Sequence, residues 1–418
     1  MTKGHDMAQR TGQPQAVVTG ASIAGLSTAF WLRRAGWQVT VLERAAQFRD
    51  GGQNVDIRGL ARDVLERMGL LDAVRAANTT ETGTVVVNAD GTVRATLPSD
   101  GPEGATAELE VLRGDLANII LDAVPDVTMI YGETVVDVEH HDGGVTVSTS
   151  AGRHLDADLL VVVEGARSKT RDLVFPADSI HRRDLDITMA VGTIPRTASD
   201  DQTWRWYNAV GGRSVHLRPD NHGTTRAILA YAPGEDLLGV DRSEALARVR
   251  ERYADVGWAA PRVLAAFEQA DDLYFDQLTQ IRVDRWHQGR VVLVGDAAWC
   301  VTLMGGCGAS LALIGGYALA AALSDDDSTD PTRALAAYEQ WMRPLADRVG
   351  RTPKALVRFA YPRTRLGLAA RGIADRLVTA TILRTLVQRL HAGKEDDGQL
   401  TLPAMTTVSG GTTYGRPV

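Results

Sequence analysis

Cysteine is almost missing: 418 residues contain two, Cys300 and Cys307. Two thiols in one short loop cannot make a disulfide scaffold. With no His in that loop and no Cys-x-x-Cys spacing, they make no metal site either, so no metal is expected. Basic excess is also missing. The net charge is −7 and the arginines are scattered, which excludes a nucleic-acid partner. No apolar run reaches the roughly 20 residues that cross a bilayer, so no membrane partner is expected. Residues 1–13 are polar and carry no secretory pattern, and the expected location is the cytoplasm. What remains is an ordinary globular composition, 44% hydrophobic and 23% charged, long enough for two or three domains.

Glycine is the residue in supply, 41 in all, and two glycine-rich segments carry the chemistry. The first follows the short apolar run Ala16-Val17-Val18-Thr19 and reads Gly20-Ala21-Ser22-Ile23-Ala24-Gly25. Gly20 permits a tight turn and Gly25 a close helix–strand approach, and the amides of Ser22, Ile23 and Ala24 open a helix that can meet a pyrophosphate. Ser22 stands where a middle glycine is usual and is small enough to serve. Glu43 ends the next strand at about the expected 20-residue spacing, placed to accept hydrogen bonds from ribose hydroxyls, with Arg44 beside it.

The second segment is Val291-Val292-Leu293-Val294-Gly295-Asp296-Ala297-Ala298, followed by Gly305-Gly306-Cys307-Gly308-Ala309-Ser310. Asp296 at a strand end can accept from a ribityl hydroxyl, or it can cap a helix. Gly306 and Gly308 allow backbone to approach a flat ring, and a helix opening at Ala309 and Ser310 points its positive end there. A nucleotide turn near the start of the sequence and this motif far downstream imply a long cofactor held at both of its ends, FAD.

Apolar runs near residues 16, 39, 159 and 291 read as buried parallel strands. Residues 187–232 change to short antiparallel β-runs. The region from Pro331 to His391 reads as almost wholly helical, and 410–418 as a frayed tail. The fold class is α/β: a Rossmann-like FAD-binding domain interleaved with an antiparallel β-sheet substrate domain, plus C-terminal helices. The expected division assigns 14–76, 104–178 and 280–343 to FAD, 77–103 and 179–279 to substrate, 344–395 to the helical segment and 396–418 to a tail.

With the fingerprint, Glu43-Arg44, the segment Gly51 to Gly59, Arg113 before Leu116, the stretch Asp158 to Arg171 and the Gly295-Asp296 motif, the chain resembles the group A flavoprotein monooxygenases over residues 15–390. That is the family of p-hydroxybenzoate hydroxylase and the tetracycline-modifying monooxygenases, and the chain looks closest to actinobacterial members acting on natural products. The resemblance implies FAD, a transient NADPH or NADH donor and O2. It implies that Arg113 contacts the cofactor and Arg58 lies near the flavin or the substrate entry. A surface role for Arg58 is equally open, and an exposed ion pair is open for Arg113. Val135 is counted with the cofactor-binding set.

Three departures stand out. Glu164-Gly165 replaces the family's Asp-Gly, which puts efficient NAD(P)H use in question. Trp299 replaces a His or Tyr, and Cys300 to Met304 lacks the family's prolines. The resemblance puts substrate between flavin and antiparallel sheet. Candidate lining residues are Met189, Trp204, Trp206, Leu303 and Met304, with Tyr207 beside them. Alternation puts Trp204 and Trp206 on one strand face, suited to a hydrophobic aromatic or polycyclic guest or simply to the sheet's own core. Arg213 and His216 could orient a polar edge of the guest, or lie at the surface, which is the reading favoured for each. No catalytic base is legible. The leading function is an FAD-dependent monooxygenase hydroxylating an aromatic or polyketide-like molecule, in a monomer or homodimer. An FAD-binding [4+2] cyclase without redox turnover and a ligand-sequestering flavoprotein are the alternatives.

Overall fold

The computed structural model describes residues 12–97, 109–325, 330–349, 352–379 and 401–406. Its first sheet has six strands, ordered His287–Gln288, Val291–Leu293, Leu159–Val162, Gln15–Thr19, Gln38–Glu43 and Thr128–Tyr131. All neighbours run parallel except the first pair. The four apolar runs read from sequence lie side by side here because each is buried on both faces. The strand Thr128–Tyr131 escaped that reading: it is short and half-buried at the sheet's edge.

Register decides what this sheet can hold. Thr19 is level with Leu42 on one side and Val162 on the other, and Val162 is level with Leu293. Gly20, Glu43, Glu164 and Asp296 therefore leave the sheet at one edge, the carboxyl ends of its strands, where open α/β sheets bind ligands. The helices that follow the two glycine segments, Ile23–Arg34 and Gly308–Ser324, pack against each other, and Ser27 Oγ donates to Leu313 O at 3.0 Å.

The second sheet has seven strands, ordered Tyr274–Val283, Ile180–Pro195, Thr224–Tyr231, Arg213–Pro219, Thr203–Ala209, Gly83–Val87 and Val93–Leu97. One face packs on the helices Arg242–Arg252 and Ala260–Phe267. The other packs on Ala360 and Tyr361 near the chain's end and turns toward the first sheet's carboxyl edge. The strand Tyr274–Val283 was not legible in sequence. Polar residues such as Asp276, Gln277, Thr279 and Gln280 interrupt any apolar alternation, and the strand runs past residue 280.

The C-terminal region holds the helices Thr332–Val349, Lys354–Ala360 and Arg365–Thr379. The expected helix to His391 and the tail at 410–418 lie in part or wholly outside the described residues. No helix among the described residues is long and apolar enough to cross a membrane, and none of their His, Cys, Asp and Glu side chains group as a metal site.

Candidate active site

The turn after the first strand leaves no space to spare. A Cβ at Gly25 would lie 1.9 Å from Gly20 O and 3.1 Å from Val163 Cγ2. Helix and strand touch through bare backbone there, which holds the helix N-terminus at the sheet edge. Ser22 caps that helix in extended conformation and spends no side-chain bond on the cap. Glu43 accepts from Ala21 N and Ala45 N, both at 2.9 Å, so its carboxylate is locked beside the turn with further lone pairs free. Arg44 is exposed.

The late motif arrives at the same place. Gly295 adopts φ 66°, and a Cβ on it would stand 2.9 Å from Ala24 Cβ in the first helix. Segments that open and close most of the chain are thus in contact. Gly295, rather than Asp296, is the cap of the short helix Asp296–Trp299, and the helix makes no side-chain capping bond. The capping alternative for Asp296 fails, and its carboxylate projects where solvent reaches it although protein atoms crowd around it. That crowding raises its pKa, opposed by the Arg113 charge and by a bond from the Cys300 thiol. Burial and the neighbouring Asp296 charge push the Cys300 thiol well up, leaving it un-ionised and unreactive.

Arg113 opens the helix Arg113–Asp122 and donates its backbone N–H to Gln53 O at 3.0 Å. Its side chain lies against Gly52, where an added Cβ would meet Arg113 Cβ and Cδ at 3.2 Å. Tyr274 from the second sheet donates to Gln53 Oε1 at 2.5 Å. Arg58 pairs with Asp56 at 2.9 Å, and its backbone N–H donates to Ser310 Oγ at 3.0 Å. Ser310 Oγ in turn donates to Asp56 O at 3.0 Å. The segments 52–58 and 306–310 therefore form one wall, with Gly306 at φ 65° and Gly308 and Ala309 opening the late helix.

Val135 starts the strand Val135–His141 with its side chain buried in the main core.

The departures from the family pattern have structural occupations. Glu164 accepts from Ser168 Oγ at 2.7 Å, Thr170 N at 3.0 Å and Thr170 Oγ1 at 2.5 Å, so the longer carboxylate reaches round to cap the helix Lys169–Val174. Buried Arg171, from the same helix, donates to Ala297 O at 3.1 Å and steadies the turn that carries Asp296. Glu164→Asp is expected to lose part of this cap and lower stability by about 1 kcal/mol, read as a lower thermal midpoint with flavin content unchanged. Trp299 lies in the core, 4.5 Å from Trp286 between ring centroids. In the proline-free loop Thr302 takes φ 62°, a strained conformation for a β-branched residue, and its buried Oγ1 has no partner.

The second sheet presents its site-facing side chains in rows across the strands. One row is Trp206, His216, Ile228, Val191 and Tyr274; on one side of it lie Asn208, Ser214, Ala230, Met189 and Asp276. Met304, from the loop after Asp296, packs against the apolar cluster that holds Met189, Ile228 and Leu278, so two of the expected lining residues fall in one cluster. Leu303 begins the turn Leu303–Gly305, and its side chain lies outside the described ones. Tyr207 faces the opposite side of the sheet, toward Trp258.

Trp204 and Trp206 stack at 5.8 Å and 5°, but the stack is closed: Arg218 lies 4.3 Å over Trp204 and Arg371 4.7 Å over Trp206. The indole faces expected to receive a planar guest are filled by guanidinium groups, and their edges remain. His216 and Arg213 are likewise not surface residues. His216 is 5% exposed, accepts from Trp204 Nε1 at 3.2 Å and meets Ser214 Oγ at 2.8 Å. Burial, then Arg218 and Arg371, push its pKa down to about 3, so it is neutral at physiological pH. Arg213 pairs with Asp255 on the sheet's far side.

Beyond Trp204 the face is ionic. Arg218 pairs with Glu81 and Glu110, and Arg226 with Asp220 and Asp272. Two carboxylates share Arg218. Burial foremost pushes Glu81 up to about 7; Arg218 opposes the shift and Glu110 adds to it. A carboxyl with a raised folded pKa binds its proton more tightly folded than unfolded. Its contribution is complete below the ordinary value near 4.5 and is lost as pH climbs to about 7. Glu81→Gln is expected to flatten the decline of the thermal midpoint across that window.

Comparison with known proteins agrees with this geometry. The FAD binding domain family model matches residues 13–352. An uncharacterised protein of Mycobacterium tuberculosis is 36% identical over 315 residues, 73% of this chain and 84% of its own length. A flavin-dependent monooxygenase from an unknown prokaryotic organism is 32% identical over 336 residues, 79% of this chain and 86% of that one. The crystal structure of a tetracycline destructase superposes with a TM-score of 0.75 at 27% identity, covering 88% of this chain and 97% of that one.

Proposed function

The chain belongs to the FAD-binding family of flavin-dependent monooxygenases, and from that membership we propose that it hydroxylates an apolar aromatic or polycyclic small molecule, with NADPH or NADH as donor and O2 as co-substrate. Bound FAD supplies the redox and oxygen chemistry. The observation that supports the reading is that Met304, from the loop after Asp296, packs against the cluster formed by apolar residues of the second sheet: one short loop would then face both the cofactor and the proposed substrate.

The cradle fits FAD. A helix start at Ser22, Ile23 and Ala24 that no side chain covers would take the pyrophosphate, and Glu43, already locked, the ribose. Asp296, crowded yet reachable, would take the ribityl chain, with Arg113 beside it balancing charge. The wall of Arg58, Gly306, Gly308, Ala309 and Ser310 would flank the ring. The apolar members of the second sheet's rows, Met189, Val191, Ile228 and Ala230, would exclude water and orient the guest. Trp299 and Glu164 are engaged in packing and capping, so these departures give no support to a cyclase without redox turnover. The comparison with a tetracycline destructase makes tetracycline a first compound to try. The test mixes purified protein anaerobically with NADPH and candidate substrates and follows bleaching of the flavin absorption. Bleaching accelerated by a substrate, then a hydroxylated product on admitting O2, is the expected result. No bleaching with either nicotinamide would overturn the reading, as would product formed without O2.

A further inference from the structure

The strand Thr203–Ala209 carries two polar side-chain atoms that the protein leaves unanswered. Asn208 is 1% exposed; its Nδ2 donates to Ala360 O at 2.9 Å, but its Oδ1 is buried without a partner. Two residues earlier on the same face, Trp206 Nε1 is also buried and unpartnered. Burying a donor or acceptor without a partner costs about 1–3 kcal/mol. One orphan donor and one orphan acceptor, adjacent on the face that holds Met189, Ile228 and Ala230, match a ligand with the complementary pair.

The charges nearby decide what kind of ligand. A carboxylate held against this strand needs a free cation on the same face. Arg218 is taken by Glu81 and Glu110, Arg226 by Asp220 and Asp272, and Arg371 by Asp375 and the carbonyls of Phe359 and Ala360. His216 is neutral, its two ring nitrogens engaged by Trp204 and Ser214. What the strand offers is one N–H and one C=O without net charge.

Resting on the monooxygenase reading, we infer that Trp206 and Asn208 are the specificity-determining pair: Trp206 Nε1 donates to a substrate carbonyl, Asn208 Oδ1 accepts from a substrate hydroxyl, and the substrate is an uncharged hydroxylated aromatic ketone rather than an aromatic acid. Three rigid tricyclic probes separate these demands: 2-hydroxyfluorenone, fluorene and fluorenone-2-carboxylate. Their dissociation constants are measured by titration of the flavin-loaded protein, following the flavin spectrum. The hydroxyketone is expected to bind at least about tenfold more tightly than either other probe. Trp206→Phe keeps an aromatic ring for the stack and removes the N–H; Asn208→Leu keeps the volume and removes the oxygen. In each, the preference over fluorene is expected to fall below about threefold, a ratio that a merely structural role would not move. The inference is overturned if the carboxylate binds as tightly as the hydroxyketone, if the preference survives in both variants, or if no probe binds. NADPH-driven bleaching in the same samples separates the two proposals: bleaching intact with the preference absent removes only this inference, whereas no bleaching with any donor removes the monooxygenase reading.

Discussion

Replacing Gly25 with valine is expected to yield a protein without flavin, in large part insoluble. The Cβ alone would sit 1.9 Å from Gly20 O, a backbone atom that cannot swing aside, and 3.1 Å from Val163 Cγ2 on the neighbouring strand. Relief requires the helix Ile23–Arg34 to lift off the sheet. That motion also pulls Ala24 away from Gly295 and Ser27 away from Leu313, so both ends of the cofactor cradle are lost together. Overpacking a rigid backbone contact costs about 3 kcal/mol or more. The flavin-to-protein absorbance ratio of the purified variant measures the effect. Gly143→Ala is the matched control: nothing lies within 4 Å of its added Cβ, and its flavin content should equal that of the parent.

Arg218→Met is expected to produce the second large loss, about 3–5 kcal/mol, because it strands two carboxylates that are 1% and 2% exposed. Glu110 keeps bonds from Asn54 Nδ2 at 2.7 Å and Thr79 Oγ1 at 2.6 Å, while Glu81 keeps no other side-chain partner shown in the structure. Adding Glu81→Met should therefore restore much of the stability, since an apolar pair replaces a buried ionic one. Thermal unfolding of the single and double variants reads both effects. A double variant no more stable than the single would show that the guanidinium acts mainly through its contact with Trp204.

The sequence showed the cofactor cradle better than the substrate surface, for a physical reason. Strands buried on both faces are continuous apolar runs, and a backbone that must bend or approach closely needs glycine, so Ala16 to Gly25 and Val291 to Gly295 declare themselves. The second sheet hides its pattern because its polar residues are satisfied by distant partners. Arg213 is answered by Asp255, His216 by Trp204 and Ser214, and Arg218 by Glu81 and Glu110. Read singly, such residues look like surface. The same blindness missed the strand Tyr274–Val283, Arg171 and the orphaned oxygen of Asn208. Ser168 caps the helix Lys169–Val174 by accepting from Arg171 N, and nothing in the sequence hints that the Arg171 side chain reaches Ala297. For Trp204 and Trp206 alternation gave the shared face correctly, and only tertiary contacts reveal that Arg218 and Arg371 close the stack.

We propose that one FAD spans two distant segments of the chain, its adenosine at Glu43 and its ribityl chain at Asp296. Titration of cofactor-stripped protein with FAD and with FMN, in the parent and in Glu43→Gln and Asp296→Ala, tests it most directly. One FAD per chain is expected, with FAD affinity at least about tenfold weaker in each variant and FMN affinity lowered by Asp296→Ala but not by Glu43→Gln. A parent that takes up no flavin, or an Asp296→Ala variant that binds FAD as tightly as the parent, would contradict it.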